Sequence, residues 1–123
     1  AVTPMLDMIG LVSVYRRWAG LDQLFDIRYA APEQLDTAGS IDGATDVYQL
    51  GAVLYRVLTG QPPYDGEAIR EQIRAGDMAD PTAINPDLPP EIDPIIAKAT
   101  ATQKLLRYDN ATRFHQEIRQ LLS

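Results

Sequence analysis

The segment Asp42–Tyr64, DGATDVYQLGAVLYRVLTGQPPY, places the strongest constraint on the fold of this chain. Its apolar residues recur at the spacing of one helical face, and further apolar residues widen that face around most of the helix. Thr45 or Asp46 can cap the start, and Gly60 stands where a left-handed C-cap is expected, just before two prolines. The pattern predicts a central buried helix over about residues 45–59. The residues expected on its main apolar face are Val47, Leu50, Gly51, Leu54, Val57 and Leu58.

Three shorter helices are predicted after the central one. They cover residues 66–75, residues 91–102 and about residues 110–122, and each has apolar residues at helical spacing. Residues 77–90 contain four prolines and are therefore predicted to form an ordered loop. The side chains expected to face the core are Ala68, Ile69, Ile73, Ile92, Ile95, Ile96, Ala99, Ala111, Phe114, Ile118 and Leu121.

The N-terminal quarter of the chain is harder to assign. Residues 1–20 are densely apolar but fit a helix and a strand about equally well, because β-branched residues alternate with good helix formers. Residues 21–30 show no period and are predicted to be a loop or a short extended piece. Pro32 is well placed in the first turn of a short helix.

Composition and charge exclude several classes of function. The 123 residues fit one domain, and 46% hydrophobic content can bury a core. With no cysteine and a single histidine, His115, the chain has neither a disulfide scaffold nor a Cys/His zinc site. The net charge of −6, without a basic stripe, argues against nucleic acid as a partner.

No apolar run approaches the length of a membrane helix, and the first residues given do not show a signal-peptide pattern. We therefore expect a cytoplasmic protein with no membrane segment in this chain. A membrane anchor elsewhere in a longer parent protein stays open, because the chain begins at Ala1 without an initiator methionine.

Four segments, in the same order, resemble the protein kinase family. YAAPEQL (residues 29–35) resembles the APE motif that closes the activation segment, and ATDVYQLGAVLYRVLTGQPPY (44–64) resembles the F helix and its following turn. NPDLPPEIDPIIAKAT (85–100) is similar to the approach to the H helix, and LLRYDNATRFHQEIRQLL (105–122) to the last helix with its leading arginine. The sequences of these four segments are most similar to those of Ser/Thr kinases of bacterial and archaeal type.

The resemblance implies a mainly α fold, namely the helical subdomain of a kinase C-lobe built around the central helix. Residues 1–123 would form a partial kinase-like domain. Within it, residues 1–30 would be a degenerate activation-segment-like region and residues 31–123 the helical C-lobe core.

The resemblance also implies roles for individual residues. Glu33 and Pro32 match the APE motif, and Arg107 matches the arginine that pairs with its glutamate in a buried ion pair; two unconnected surface charges are the alternative. Asp46 matches the F-helix aspartate that holds the backbone of the catalytic loop. It fits a plain N-cap equally well.

Two further groups would belong to the activation segment. Asp7 and Gly10 resemble a degenerate metal-binding DFG triplet with one residue too many, and chance placement is the alternative. Asp26, Arg28 and Tyr29 would lie in the substrate-facing loop, where Asp26 occupies the position at which kinases carry a threonine. That change removes a hydroxyl expected to bridge the catalytic residues.

Several parts that phosphoryl transfer requires have no counterpart in this sequence. It holds no G-x-G loop, its lysines are Lys98 and Lys104, both in the H-helix region, and its only histidine is in the last helix. We therefore expect the chain alone to be inactive and to bind no cofactor, with ATP and Mg²⁺ expected only if the parent is a complete kinase. The alternative is a pseudokinase-derived interaction module without catalysis.

An apolar N-terminal run would be exposed if the chain folds alone. It includes Met5, Met8, Leu11 and Val12. Because uncovered apolar patches become interfaces, we expect self-association or a protein partner at this segment.

Overall fold

A computed structural model of the chain describes residues 26–35 and 42–122, and within these ranges all regular structure is helical. The mainly α fold expected from the sequence is confirmed. Three short 3₁₀ helices cover Ile27–Tyr29, Pro32–Leu35 and Lys104–Leu106. The α-helices are α1 (Gly43–Thr59), α2 (Ile69–Ala75), α3 (Pro81–Ile84), α4 (Ile92–Ala99) and α5 (Ala111–Leu122).

Helix α1 is the predicted central helix, but its cap differs from the predicted one. Asp42 is the N-cap: its side chain accepts a hydrogen bond from the Ala44 N–H at 3.0 Å, and its own N–H donates to Thr45 Oγ1 at 3.3 Å. This reciprocal capping box satisfies N–H groups that the first helical turn leaves free. Asp46 is a first-turn residue and not the cap. At the other end Gly60 adopts φ 78°, as predicted for a left-handed C-cap.

The main core surrounds α1, which packs against α4 and α5. Gly51 makes the contact with α4 possible, because a Cβ at this position would stand 3.0 Å from Ala99 Cβ and from Thr100 Cγ2. Val57 was expected to face inward and is instead 42% exposed. The fully or nearly fully buried core residues include Val47, Tyr48, Ala52, Val53, Leu54, Tyr55, Ile92, Ile96, Ala99, Phe114 and Ile118.

The last helix is joined to the core through aromatic side chains. Asn110 accepts a hydrogen bond from the Arg113 N–H at its side chain and so starts the helix. The rings of Tyr108 and Phe114 stack with centroids 5.5 Å apart. Ala111, predicted to be inward, is exposed, because the buried stripe of α5 begins one turn later at Phe114.

A second, smaller core holds α2 against the 3₁₀ helix Pro32–Leu35. Tyr64, Ile69 and Ile73 are buried there. Helix α2 begins three residues later than predicted, at Ile69, so that Ala68 precedes the helix and is exposed. Gly76 ends it in a left-handed conformation, at the predicted position.

Two segments predicted as loops contain single helical turns. Residues 77–90 include α3, which has Pro81 at its first position. The Asp93 carboxylate of α4 accepts hydrogen bonds from the backbone N–H of Thr82, at 3.0 Å, and from the Thr82 hydroxyl, and these bonds fix α3 on α4. Residues 27–29, in the region expected to be a loop or extended, form the first 3₁₀ helix.

Within the two described ranges, none of the helices has the length and apolar character that crossing a lipid bilayer requires.

Candidate functional site

Glu33 and Arg107 form a buried, bidentate ion pair. Arg107 Nη1 donates to Glu33 Oε2 at 2.7 Å, and Arg107 Nη2 donates to Glu33 Oε1 at 2.9 Å. The Arg107 side chain is fully buried, and the Glu33 side chain is 10% exposed. This parallel geometry is the strongest arrangement available to a guanidinium and a carboxylate. The structure thus brings together the two residues that the sequence resemblance paired, with Arg107 buried and Glu33 only slightly exposed.

The remaining Arg107 donors bind backbone carbonyl groups. Its Nε donates to the Ala101 carbonyl at 2.7 Å, and Nη1 also donates to the Ala44 carbonyl at 3.1 Å. Its Nη2 reaches the Thr102 carbonyl at 3.3 Å. The guanidinium lies 5.0 Å from the centre of the Tyr48 ring, a cation–π distance. Arg107 is therefore satisfied on all sides, as a buried charge must be.

Thr45 connects the ion pair to the start of α1. Its hydroxyl donates to Glu33 Oε2 at 2.7 Å while it accepts the Asp42 N–H of the capping box. Burial raises the pKa of Glu33, but the hydrogen bonds from Arg107 and Thr45 outweigh burial and lower that pKa to about 2. Glu33 is consequently ionised at any physiological pH.

Asp46, the predicted site residue on α1, is exposed and directly follows Thr45. It does not cap the helix, since Asp42 does. Its expected role in holding a catalytic-loop backbone stays a prediction. Pro32 occupies the first position of the 3₁₀ helix that carries Glu33, as the sequence predicted for a short helical turn.

Asp26 and Arg28 form a local pair in the expected substrate-facing loop. Asp26 caps the first 3₁₀ helix by accepting the Arg28 N–H at 3.0 Å, and its two carboxylate oxygens bind Arg28 Nε at 3.1 Å and Nη2 at 2.8 Å. The pairing lowers the pKa of Asp26. The Arg28 guanidinium also lies over the ring of Tyr29, which is buried. Tyr29 is thus a core residue whose ring is covered by its neighbour.

Other predicted residues fall outside the described part of the chain. Asp7 and Gly10, the degenerate metal-binding motif, are among them, and so is the apolar run of Met5 and its neighbours. Their predicted roles stay predictions.

The two lysines do not suit a phosphate-binding site. Lys98 Nζ lies 4.5 Å from the centre of the Tyr108 ring, and Lys104 Nζ pairs with Asp42 at 3.2 Å. The sequence also holds no glycine-rich loop to cover phosphates. That this chain by itself binds no ATP stays a prediction.

The sequence interpretation missed two members of this site. The sequence predicts Thr45 only as a candidate cap and assigns no role to Tyr48. The D-x-x-T spacing of Asp42 and Thr45 is a capping-box pattern and could have indicated the true cap. Nothing in the sequence indicates that the Tyr48 ring lies under Arg107.

Comparison with known proteins gives several relatives but no match to a protein-family model. The chain is 35% identical over 94 residues to the serine/threonine-protein kinase PknB of Mycolicibacterium smegmatis, covering 74% of this chain and 15% of that protein. It is 35% identical over 99 residues to PrkC of Bacillus subtilis, covering 78% and 15%, and 40% identical over 91 residues to PknF of Mycobacterium tuberculosis, covering 72% and 19%.

The chain thus spans less than a fifth of the length of the curated relatives it matches. The similarity covers most of this chain. Its identities of 35% and 40% are well above the level at which two proteins share only a fold. The chain is a kinase-like segment, homologous to bacterial serine/threonine protein kinases and in keeping with the C-terminal part of their catalytic domain.

Proposed function

We propose that this chain forms the helical, C-terminal part of a serine/threonine protein kinase domain. Its parent protein would transfer a phosphate from ATP to serine or threonine residues of other proteins, and this chain by itself would not catalyse the transfer. The observation that carries the proposal is the Glu33–Arg107 ion pair, because it joins two of the kinase-like segments across the start of a third.

In this proposal the chain acts as a scaffold. The ion pair and Thr45 fix the 3₁₀ helix Pro32–Leu35 on the first turn of α1. Asp46 is exposed on that same turn, and its carboxylate can accept hydrogen bonds from backbone N–H groups of a catalytic loop. A rigid first turn would therefore position both the loop and the substrate-facing segment.

The catalytic groups would come from the rest of the parent. Phosphoryl transfer depends on positioning and charge stabilisation by a glycine-rich loop, a strand lysine, metal-binding residues and a base aspartate. ATP and Mg²⁺ belong to the parent in this proposal and not to this chain. We also propose a cytoplasmic location for these groups, where ATP is available.

A protein-interaction module without catalysis is the second candidate, and one observation favours it. Asp26 stands where kinases carry a bridging threonine, and both of its carboxylate oxygens bind Arg28. A paired carboxylate at this position cannot donate the hydrogen bond that a hydroxyl provides. In this reading the apolar N-terminal run would serve as the interface.

A kinase assay on the full parent protein distinguishes the two candidates. The coding region upstream of Ala1 is sequenced, and the purified parent is incubated with labelled ATP, Mg²⁺ and a basic protein substrate. Label on serine or threonine, lost in Asp46→Ala and retained in the exposed control Asp87→Asn, supports the kinase. A folded parent that transfers no label supports the interaction module.

Two measurements on the chain alone complete the test. Titration with Mg-ATP should give no saturable binding, and micromolar affinity would contradict the assignment of the ATP site to the parent. Light scattering across a concentration series tests the proposed self-association, which a uniform monomer would refute.

A further inference from the structure

A cleft of about 250 Å³ lies between the end of α2, the segment that leads into α3, and helix α4. We call it the α2–α4 cleft. Its lining is mixed: Met78, Ile96 and Ala97 are apolar, and Asp80 and Asp93 are among the polar residues that line it. It is smaller than the roughly 300–1,000 Å³ of drug-sized sites and larger than the roughly 150 Å³ cavity that holds benzene. Its size therefore suits a single side chain.

The two carboxylates at the wall differ in their freedom to bind a ligand. Asp93 is fully engaged, since both of its oxygens accept hydrogen bonds from Thr82. Asp80 is exposed, and its carboxylate makes no side-chain cap on α3. Burial, together with the charges of Asp80 and Asp93, raises the pKa of nearby Tyr55. Two acidic residues line this side of the cleft, and a cation placed beside Asp80 would be attracted to them.

The opposite wall of the cleft is held in place before any ligand binds. Arg107 donates to the carbonyl groups of Ala101 and Thr102, which line the cleft. Gly76 has φ 73° and packs closely on Thr102. A Cβ added to Gly76 would lie 2.7 Å from the Thr102 methyl group. Since pre-formed sites lose less entropy on binding, a fixed wall favours ligand affinity.

Part of the rim of the cleft is apolar and open to solvent. Leu106 lines the cleft and is 60% exposed, and its neighbour Leu105 is 97% exposed. The two adjacent leucines leave apolar surface uncovered beside the cleft, which a protein partner could cover. Within the described residues, no hydrogen bond or ion pair involves the Asp80 carboxylate.

We propose that the α2–α4 cleft binds a protein partner through a short segment that presents an aliphatic side chain next to a lysine or arginine. The aliphatic side chain enters the cleft against Met78 and Ala97, and the cation pairs with Asp80. The backbone of the segment passes over Leu105 and Leu106. The site is independent of the proposed kinase function, because no residue of the cleft takes part in phosphate transfer.

Nuclear magnetic resonance titration of the full chain with a short peptide tests the proposal. The probe is acetyl-Gly-Leu-Arg-Gly-amide, and the matched peptides replace its leucine by serine or its arginine by glutamine. We expect saturable shifts of the amides of Met78, Ala97 and Thr102 with the Leu-Arg peptide. The serine peptide should give no saturation, and the glutamine peptide should bind roughly two- to fivefold more weakly, the range of an exposed ion pair.

Variants of the protein give the second arm of the test. Asp80→Asn should weaken binding of the Leu-Arg peptide to the level of the glutamine peptide, and Asp87→Asn, an exposed acid outside the cleft, should leave it unchanged. Ala97→Trp places a large side chain in the cleft from an exposed helix position and should abolish saturation.

Three results would overturn the proposal. They are equal affinity for the leucine and serine peptides, shifts located away from the cleft, and shifts of cleft amides with protein concentration alone, which would identify a second copy of this chain as the occupant.

Discussion

Arg107 and Glu33 are separated by 74 positions in the chain, and their side chains meet at 2.7 Å and 2.9 Å. The contact takes place at the first turn of α1, where Thr45 donates to the same carboxylate and the Ala44 carbonyl accepts from the same guanidinium. Three segments that are distant in sequence are thus joined by one set of charge-assisted hydrogen bonds. Loss of a single partner leaves the others buried without compensation.

We predict that Glu33→Ala and Arg107→Ala each lower the free energy of unfolding by about 3–5 kcal/mol, the usual cost of leaving one member of a buried pair uncompensated. The effect of Glu33→Ala should be the larger, because the Arg107 side chain has no access to water whereas that of Glu33 has some. The double variant should lose less than the sum, since no charge is then left buried without a partner. Urea denaturation of the four proteins measures these values.

The matched control is Arg113→Ala, an exposed arginine at the start of α5. Its free energy of unfolding should remain within about 0.5 kcal/mol of the value for the unsubstituted chain. Small and additive losses for Glu33→Ala and Arg107→Ala would show that the pair contributes little to stability.

The low pKa of Glu33 predicts a loss of stability in acid. The folded-state pKa is about 2, whereas an unfolded glutamate titrates near about 4.3. The stabilisation is therefore complete above the unfolded value and declines as the pH falls through the folded value, from about pH 5 to about pH 2. Thermal melts of the unsubstituted chain and of Glu33→Gln across this range should show a difference in Tm that narrows towards low pH. A difference independent of pH would mean that the carboxylate charge is not responsible.

The same ion pair shows how far sequence reasoning reached. The resemblance to protein kinases implied that Glu33 and Arg107 pair. The helical spacing of apolar residues predicted α1, α4 and α5, because the period of a buried helix is carried by residue type. The remaining Arg107 contacts are backbone carbonyl groups, of Ala44 among others, which have no sequence signature. Tyr48 is likewise indistinguishable from any other core tyrosine until the fold places Arg107 over its ring.

The errors in the predicted elements lie at their ends and edges. A period of 3.6 assigns Val57 to the apolar face, but the neighbouring elements cover only part of that wide face, and Val57 remains at its exposed margin. Ala68 and Ala111 are exposed for a related reason, since each lies at the start of its segment and outside the buried stripe. Proline indicated a loop around Pro81, although proline is also favoured in the first turn of a helix.

The identity of the α1 cap can be tested directly. Asp42→Ala removes the acceptor for the Ala44 N–H and should lower the free energy of unfolding by more than Asp46→Ala does. Asp46→Ala should change it by no more than about 0.5 kcal/mol, because Asp46 is exposed and does not cap the helix. Urea denaturation of both variants makes the comparison. A larger loss for Asp46→Ala would restore the cap that the sequence first indicated.

The approach of α1 to α4 at Gly51 gives the last prediction. A Cβ there would stand 3.0 Å from methyl groups of Ala99 and Thr100, and the Thr100 rotamer is fixed by the hydrogen bond from its hydroxyl to the Ile96 carbonyl at 2.7 Å. Gly51→Val should therefore overpack the interface and lower the free energy of unfolding by about 1–3 kcal/mol. Gly43→Ala is the matched control, since a Cβ at Gly43 meets nothing within 4 Å and should cost little. Urea denaturation curves in which Gly51→Val is as stable as Gly43→Ala would mean that α1 and α4 are not in close contact.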